Sequence, residues 1–338
     1  MTVRAMDVHI APASQDDPAL HADAWSHLVG EAPETIRQHR GVLLAHADAF
    51  SNEQLVVMAS EGGECIAITG AQVIERENGQ SVLSVFLPGM FGAPLWQGVL
   101  VRAGIERLHP LDAIVSAVVE LARQRGIRSL VLPYCPAADT MLASAMARLG
   151  FREMLAPPQN SIILEEAHTL DGYLARLGGK DRWEFRRDLR RAAEAGARIV
   201  AECPVTEATA RQAWPLVADL FRRKNSHYVP RDPGLFSAMR QRLGPAALAI
   251  DSCLVGDDLV GCLAYHHSGP STRFTYAGHR VDLPWKIHMA LVATFVAREI
   301  ERGATDIRMG FTNDMHKRRL GAVAQPHVHY VRRVDSEA

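Results

Sequence analysis

Two periodicities run through the first half of the sequence. Apolar and polar positions alternate on both sides of a glycine turn, which predicts a β-hairpin, and a third strand follows. Apolar residues then recur at helical spacing, a short apolar run comes next, and a second helical stretch completes the pattern, with a glycine ending each helix. The β-α-β order predicts a parallel pair of strands. The predicted elements are strands over residues 55–60, 65–74 and 81–86, a helix over 111–125, a strand over 127–132 and a helix over 139–149.

The second half repeats this order of elements. Its predicted elements are strands over residues 246–255, 259–266 and 273–277, a helix over 285–302 and a strand over 307–309. Two short sequences also recur: Arg-Gly at 125 and 302, an offset of 177 residues, and Arg-Leu-Gly at 148 and 319, an offset of 171 residues. We therefore expect two α/β units, residues 1–165 and 166–338, each with a mixed central sheet flanked by helices. The helix-rich stretch 169–225 is assigned to the second unit.

Composition narrows the class of protein. A chain of 338 residues with 48% hydrophobic residues can bury the core of one or two domains. The 37 basic and 38 acidic side chains leave a formal charge of -1, which excludes nucleic-acid binding by bulk charge. The five cysteines contain no C-x-x-C pair. Without an apolar leader or a membrane-length apolar run, the sequence predicts a cytoplasmic protein with no membrane partner.

Residues 176–191 hold seven cations against three carboxylates, and the cations share one side of a predicted helix. One interpretation is a surface helix with local ion pairs, Glu184 with Arg187 and Asp188 with Arg191. The other is a phosphate-binding surface for a diphosphate, a nucleotide or an RNA backbone, because guanidinium groups suit phosphate oxygens. The cations that would bear on the phosphates are Arg186, Arg187 and Arg190.

Two further segments carry candidate chemistry. Residues 275–279 lead from a strand into a helix that begins near residues 283–286, and a helix N-terminus offers N–H groups to a carbonyl oxyanion or a phosphate. Residues 310–321 follow a predicted parallel strand, the end of an α/β sheet where ligands bind. Thr312 or Asn313 can cap a short helix there, whereas Lys317 has no such structural explanation.

Several common sites are not indicated. His266 and His267 point to opposite faces of a strand, and no third ligand is spaced to join them or His327 and His329, so no metal site is predicted. The sequence lacks G-x-S-x-G, Walker and G-x-G-x-x-G motifs, which removes the main support for a serine hydrolase, a P-loop enzyme or a dinucleotide enzyme.

Residues 169–333 resemble the acyltransferases of the GNAT fold, in the BioF-like or cellulose-biosynthesis-like branch related to the Fem-type aminoacyl transferases. The resemblance is carried by the segments 183–191, 274–278, 285–303, Gly310 and 317–321. It implies tandem GNAT-like units, the first degenerate and the second catalytic. It also implies acyl transfer to an amine, with an acyl donor as co-substrate and no tightly bound cofactor.

The resemblance also implies roles for individual residues. Tyr276 would act as the acid toward the leaving group, and His279 or Asp282 as the base toward the amine, with Lys317 as a further catalytic residue. Lys286 and Trp285 would bind the donor together with Arg186, Arg187 and Arg190 of the predicted helix within residues 176–191, which we call the arginine helix. Tyr228, Thr312 and Asn313 would bind the acceptor.

The sequence departs from the family pattern at two places. Residues 279–286 contain no glycine, where coenzyme A enzymes have a glycine-rich turn, and Arg308 stands where the branch often has an acidic residue. Three functions therefore stay open. They are an N-acyltransferase using acyl-CoA or an acyl carrier protein, an aminoacyl transferase using aminoacyl-tRNA, and a non-catalytic module that binds a phosphate-bearing ligand. The net charge near zero favours the thioester donor.

Overall fold

A computed structural model describes most of the chain. The described residues are 6–13, 28, 44–45, 53–75, 79–85, 99–106, 108–202, 205–223, 234–243, 248–268, 270–311 and 314–334. The described chain divides into two compact units, the first running to Pro158 and including the segment from Gln325 onward, the second covering Gln159–Ala324.

The first unit has a mixed sheet flanked by helices. Its strands lie in the order β1-β2-β3-β4-β6-β13, with β5 paired to β3. The elements are β1 (Met6–Pro12), β2 (Glu53–Glu61), β3 (Glu64–Glu75), β4 (Ser81–Val85), β5 (Leu100–Val101), α1 (Leu111–Gln124), β6 (Ser129–Pro136), α2 (Thr140–Arg148), β7 (Arg152–Ile163) and, from the end of the chain, β13 (Val323–Arg333). The predicted hairpin is confirmed as β2 and β3, which pair antiparallel.

The second unit repeats this plan with additional helices. Its strands lie in the order β7-β12-β11-β10-β9-β8. The elements are α3 (Leu170–Ala175), α4 (Gly179–Glu194), β8 (Ala197–Glu202), α5 (Glu207–Arg223), α6 (Gly234–Leu243), β9 (Ala249–Val255), β10 (Asp258–Ser268), β11 (Ser271–His279), α7 (Ile287–Glu301), β12 (Asp306–Gly310) and α8 (Asp314–Arg319).

The repeated β-α-β order is confirmed, and both pairs are parallel. In the first unit β4 pairs with β6 across α1, and in the second β11 pairs with β12 across α7. Each helix turns sharply at its C-terminal end, where Gly126 and Gly303 have φ of 66° and 76°. Only glycine adopts this left-handed conformation without strain, so the two glycines set where the return strands begin.

Each unit has its own core. In the first unit the apolar stripe of α1 is buried against the sheet, as its helical spacing predicts. In the second, α7 is apolar on most of its surface because it is buried on most sides. The two cores contain no shared residue among those described.

The boundary near residue 165 needs a correction. The strand β7 contributes residues 152–158 to the first unit and 159–163 to the second, and β13 belongs to the first unit from Gln325 onward. The reason is strand pairing: β13 pairs antiparallel with β6, and β7 pairs antiparallel with β12. Such long-range pairing leaves no mark in the local pattern of the sequence.

A buried ion network fixes α7 to one face of the second sheet. Glu299 of α7 is fully buried and accepts hydrogen bonds from Thr272 of β11 and from Arg302 at 2.8 Å, and it contacts His267 of β10 at 3.2 Å. Burial acts to raise the pKa of Glu299, but these hydrogen bonds outweigh it and lower the pKa to about 2.

Within the described residues, no helix is long and apolar enough to cross a membrane.

Candidate active site

The central feature of the second unit is a gap between its two parallel strands. The ladder between β11 and β12 ends at the pair Arg273 and Arg308, yet β11 continues for six residues to His279. Beyond that pair, no strand of the described residues continues the ladder on this edge of β11. We call this region, bounded by residues 274–279 of β11 and 309–310 of β12, the strand gap.

A β-bulge decides which side chains of β11 lie on which face. The register with β10 shifts between Ala264 and Tyr265. Phe274 therefore packs on Phe295 of α7, with ring centroids 5.0 Å apart, whereas Tyr276 lies on the opposite face, 5.5 Å from the ring of Phe236. An unbroken strand would place positions 274 and 276 on the same face, so the bulge separates them.

Gly278 brings β11 close to α5. A Cβ atom on Gly278 would lie 2.4 Å from the carbonyl carbon of Leu216 and 2.5 Å from the nitrogen of Val217. Arg223, the last residue of α5, also donates a hydrogen bond to the carbonyl oxygen of His279 at 2.9 Å. These contacts hold the end of β11 against the helix.

Three histidines form a row on the α7 side of the gap. His279 lies at the end of β11, His288 in the first turn of α7 and His316 in α8, with ring centroids 5.4 Å and 4.4 Å apart along the row. Among the described residues, no group of histidine, cysteine or carboxylate side chains is arranged to hold a metal ion. The row places three imidazole rings near the strand gap.

Lys317 closes the end of β12. Its side chain is buried, and Nζ donates a hydrogen bond to the carbonyl oxygen of Gly310 at 2.9 Å. Gly310 has a φ of 80° and also accepts from the side-chain amide of Asn160 at 3.5 Å. A buried ammonium at the carboxyl end of β12 places positive charge beside the strand gap, as the position of Lys317 in the sequence predicts.

Lys286 precedes α7 and is engaged with α4. Its Nζ lies 3.1 Å from Glu184, which also accepts from Arg319 of α8 at 2.6 Å. Hydrogen bonds from Arg319 and then from Lys286 lower the pKa of Glu184 to about 2. No described side chain caps the start of α7, where the N–H of Met289 donates to the carbonyl oxygen of Lys286 at 3.0 Å. A small cleft here is lined by Asp181, Glu184, Lys286, Met289, His316, Arg319 and Leu320.

The arginine helix is α4, and its predicted packing is confirmed by the buried Phe185 and Ala192. The predicted ion pairs are wrong. Glu184 pairs with Lys286 and Arg319 instead of Arg187, and Asp188 pairs with Arg187 at 3.0 Å instead of Arg191. For Glu184, partners distant in sequence replace the one predicted a turn away, because Lys286 before α7 and Arg319 of α8 lie beside α4.

The three cations assigned to phosphates each have a carboxylate partner. Arg186 pairs with Asp171 at 3.1 Å, Arg187 with Asp188, and Arg190 with Glu194 at 3.6 Å. The pairs of Arg186 and Arg190 are exposed, and such pairs contribute only about 0–1 kcal/mol, so a phosphate can replace the carboxylate. Arg187 also lies over the ring of Trp183, which is exposed.

The remaining predicted site residues have mixed surroundings. Asp282 is bound by the guanidinium of Arg280, and this hydrogen bond lowers the pKa of the carboxyl group. Trp285 is buried in the core of the second unit, where its packing explains it without a ligand. Tyr228, Thr312 and Asn313 lie outside the described residues.

The structure therefore groups some predicted residues and separates others. His279, Lys286 and Lys317 lie around the α7 side of the strand gap, whereas Tyr276 lies on the opposite face of β11. Sequence reasoning missed His288, His316 and Glu184. His288 stands just after the start of α7 and His316 soon after the end of β12, so a search for histidines near those two positions would have found both. Glu184 gives no such signal, because in the sequence it is one charged residue among many on the predicted helix.

The chain is similar to known proteins in fold but not in sequence. No protein-family model matches the chain, and no curated protein matches it. Among solved structures, FemX has a TM-score of 0.62 and 10% identity, covering 92% of this chain and 96% of that one. L-PGS from Bacillus licheniformis has a TM-score of 0.60 and 14% identity, covering 95% and 93%.

A third similar structure has a TM-score of 0.58 and 15% identity, and covers 99% of this chain and all 100% of the other. It is described as a tandem GNAT protein from the clavulanic acid biosynthesis pathway, without AcCoA. At such low identity the likeness establishes the fold alone. The chain has the fold of a tandem GNAT protein, which confirms the fold class predicted from the sequence.

Proposed function

We propose that the chain is an N-acyltransferase that moves an acyl group from a thioester donor, an acyl-CoA or an acyl carrier protein, to the amine of a small molecule. The observation that carries this proposal is the strand gap in the second unit of a tandem GNAT fold. We expect main-chain N–H groups of β11 at the strand gap to donate to the carbonyl oxygen of a thioester, because such donors stabilise the negative charge that develops there.

The reaction needs one base and one acid. The amine nitrogen attacks the thioester carbonyl carbon, a C–N bond forms as the C–S bond breaks, the amine loses a proton and the leaving thiolate receives one. We assign the base to His279 rather than Asp282, because the lowered pKa of Asp282 makes that carboxylate a weak proton acceptor. Tyr276 is proposed as the acid, and Lys317 as a positive charge beside the reacting carbonyl.

The donor phosphates are assigned to Lys286 and the start of α7. A helix N-terminus favours phosphate through its unpaired N–H groups, and Lys286 adds a charge. Glu184 already binds Lys286, so a phosphate must compete with that carboxylate. We therefore expect donor binding at micromolar strength that weakens with added salt.

A second candidate is an aminoacyl transferase that takes its donor from aminoacyl-tRNA. The observation that favours it is the exposed face of α4, where Trp183 lies beside Arg187 and where Arg186 and Arg190 are exposed. An exposed aromatic ring and guanidinium groups are able to contact nucleic-acid bases and phosphates. Each of these cations has a carboxylate partner, which is why the thioester donor is placed first.

Calorimetric titration at low salt separates the donors. Purified chain, freed of nucleic acid, is titrated with acetyl-CoA and with free coenzyme A. The thioester proposal expects a micromolar dissociation constant that Lys286→Met weakens and the exposed Lys180→Met leaves unchanged. If neither ligand releases heat, coenzyme A is excluded as the donor, and acyl carrier proteins and aminoacyl-tRNA are titrated next.

Turnover separates both enzyme functions from a non-catalytic module. Release of thiol from acetyl-CoA is followed with a panel of amines for the wild type and for Tyr276→Phe, His279→Ala and Lys317→Ala. A binding module shows ligand affinity without turnover. Turnover that survives all three substitutions contradicts the assignment of the active site.

A further inference from the structure

On the face of the second sheet opposite α7, neighbouring strands carry polar side chains in one row. His267 and Thr272 bond to Glu299 and mark the α7 face, so the residues beside them point the other way. Register partners in a sheet leave it on the same side. Strand by strand from β10 to β7, these partners are His266, Arg273, Arg308 and Ser161. We call them the polar row.

Two cations stand side by side in the polar row. Arg273 and Arg308 are directly opposite each other in the parallel ladder, and Arg273 is only 1% exposed. Like charges directly opposite each other on neighbouring strands are destabilising, and burial raises the cost. Asp306 pairs with Arg308 at 3.0 Å and offsets part of this repulsion, and a further anion beside the two guanidinium groups would offset more of it.

Only part of the Arg308 guanidinium group is hydrogen-bonded to described residues. Its Nε donates to Asp306 at 3.0 Å. Its Nη1 is buried and has no hydrogen-bond partner among the residues that the structure describes. An unsatisfied buried donor costs about 1–3 kcal/mol, and more when it is charged, so native proteins rarely keep one without a ligand or water to satisfy it.

The polar row ends where the strand gap begins. Arg273 and Arg308 are the last pair of the ladder, and Tyr276 shares their face of β11 beyond the bulge. Arg308 is therefore the residue of β12 that adjoins the strand gap on this face of the sheet.

We propose that the amine acceptor carries a carboxylate and that Arg308, beside Arg273, binds it. The proposal rests on the function proposed above and names its acceptor class: small amino acids. A carboxylate is favoured over a phosphate because Nη1 of Arg308 is buried, and a singly charged group costs less to desolvate than a dianion. A planar carboxylate also matches the edge of the guanidinium group.

Binding of paired ligands tests the proposal without turnover. The full chain is titrated with the common amino acids, with ω-amino acids of three to six carbons, and with the amide of each acid, in the presence of free coenzyme A. We expect at least one acid to bind, and its amide to bind at least tenfold more weakly. Arg308→Met should lose at least tenfold in affinity for that acid, with Arg308→Lys between the two.

Arg198→Met serves as the matched control, because Arg198 is an exposed arginine on β8, at the other side of the same sheet. It should leave the affinity unchanged. A thermal melt of each variant shows whether it is folded. If Arg308→Met does not fold, Arg308→Lys and the comparison of acid with amide still decide the question.

Several results would overturn the proposal. They are equal binding of acids and amides, unchanged acid binding in both Arg308 variants, binding of O-phosphoethanolamine without any acid, or no binding by the whole panel. Failure of the proposed function looks different. If acids bind in a way that depends on Arg308 but the chain neither binds a donor nor releases thiol, the carboxylate site is supported and the proposed function is contradicted. If neutral amines are acylated at a rate that does not depend on Arg308, the proposed function is supported and only the carboxylate site is contradicted.

Discussion

At the scale of single residues, hydrogen-bond partners decide which group is able to exchange a proton. Asp282 is held as an anion by Arg280, whereas the ring of His279 packs against that of His288. The sequence offered both as bases, three residues apart, and could not rank them. The ranking depends on partners that only the folded loop supplies.

We expect His279→Ala to lower kcat by about 10²–10⁴, the usual contribution of a general base, with a smaller change in KM. Asp282→Asn is the matched control and should change kcat by less than about tenfold. Steady-state thiol release from acetyl-CoA measures both. A larger loss in Asp282→Asn than in His279→Ala would transfer the base to Asp282.

A second residue-scale prediction concerns Glu299. Its fully buried carboxylate is held by Thr272 and Arg302, so Glu299→Gln should destabilise the protein by about 3 kcal/mol at neutral pH, as expected for breaking a buried pair. The folded pKa, about 2, lies below the ordinary value of 4.5. The stabilisation by the charge is therefore present above pH 4.5 and is lost as the pH falls toward 2.

Urea unfolding of the wild type and Glu299→Gln at a series of pH values checks this prediction. The difference in free energy of unfolding should shrink as the pH falls from 5 toward 2.5. Glu301→Gln is the control, because Glu301 is an exposed residue on the same helix. A difference that stays constant with pH would show that the charge of Glu299 is not its source.

At the scale of elements, the close contact of β11 with α5 depends on Gly278. Gly278→Ala should destabilise the second unit by about 1–3 kcal/mol or more, since the new Cβ would meet helix backbone, which cannot move aside like a side chain. Gly179→Ala is the control. A Cβ there meets nothing within 4 Å, so it should be neutral or slightly stabilising.

Chemical denaturation of the two variants tests the contact, and acetyl-CoA titration tests its effect on the strand gap. We expect Gly278→Ala to lose both stability and donor binding, because β11 must shift away from α5. Wild-type stability in Gly278→Ala would mean that the helix and strand are not held as closely as the structure shows.

At the scale of the whole molecule, the last strand completes the first unit. Val328 and Tyr330 of β13 are buried in the core of that unit. A fragment ending at residue 165 lacks them, and losing large buried side chains costs about 2–5 kcal/mol each. We expect this fragment not to unfold cooperatively by itself.

Circular dichroism during heating measures this. A synthetic peptide of residues 323–334, added to the fragment, should restore a cooperative transition, whereas a scrambled peptide of the same composition should not. A fragment that melts cooperatively without the peptide would show that β13 is dispensable for the first unit.

The sequence by itself determined the order of the predicted elements, the parallel pairs and the repeat. These follow from local signals, which are periodicity, terminal glycines and the place where a strand runs into a helix. Of the candidate residues, His279 lies at the end of β11, Lys286 just before α7 and Lys317 beside the end of β12, because each stands next to such a landmark in the sequence.

Only the tertiary structure decided the rest. The bulge near Tyr265 put Tyr276 on the face opposite α7, Glu184 found partners more than a hundred residues away, and β13 joined the first unit. Each outcome depends on which elements pack side by side. Because distant ion pairs and strand pairings depend on that packing and not on sequence spacing, no local pattern predicts them.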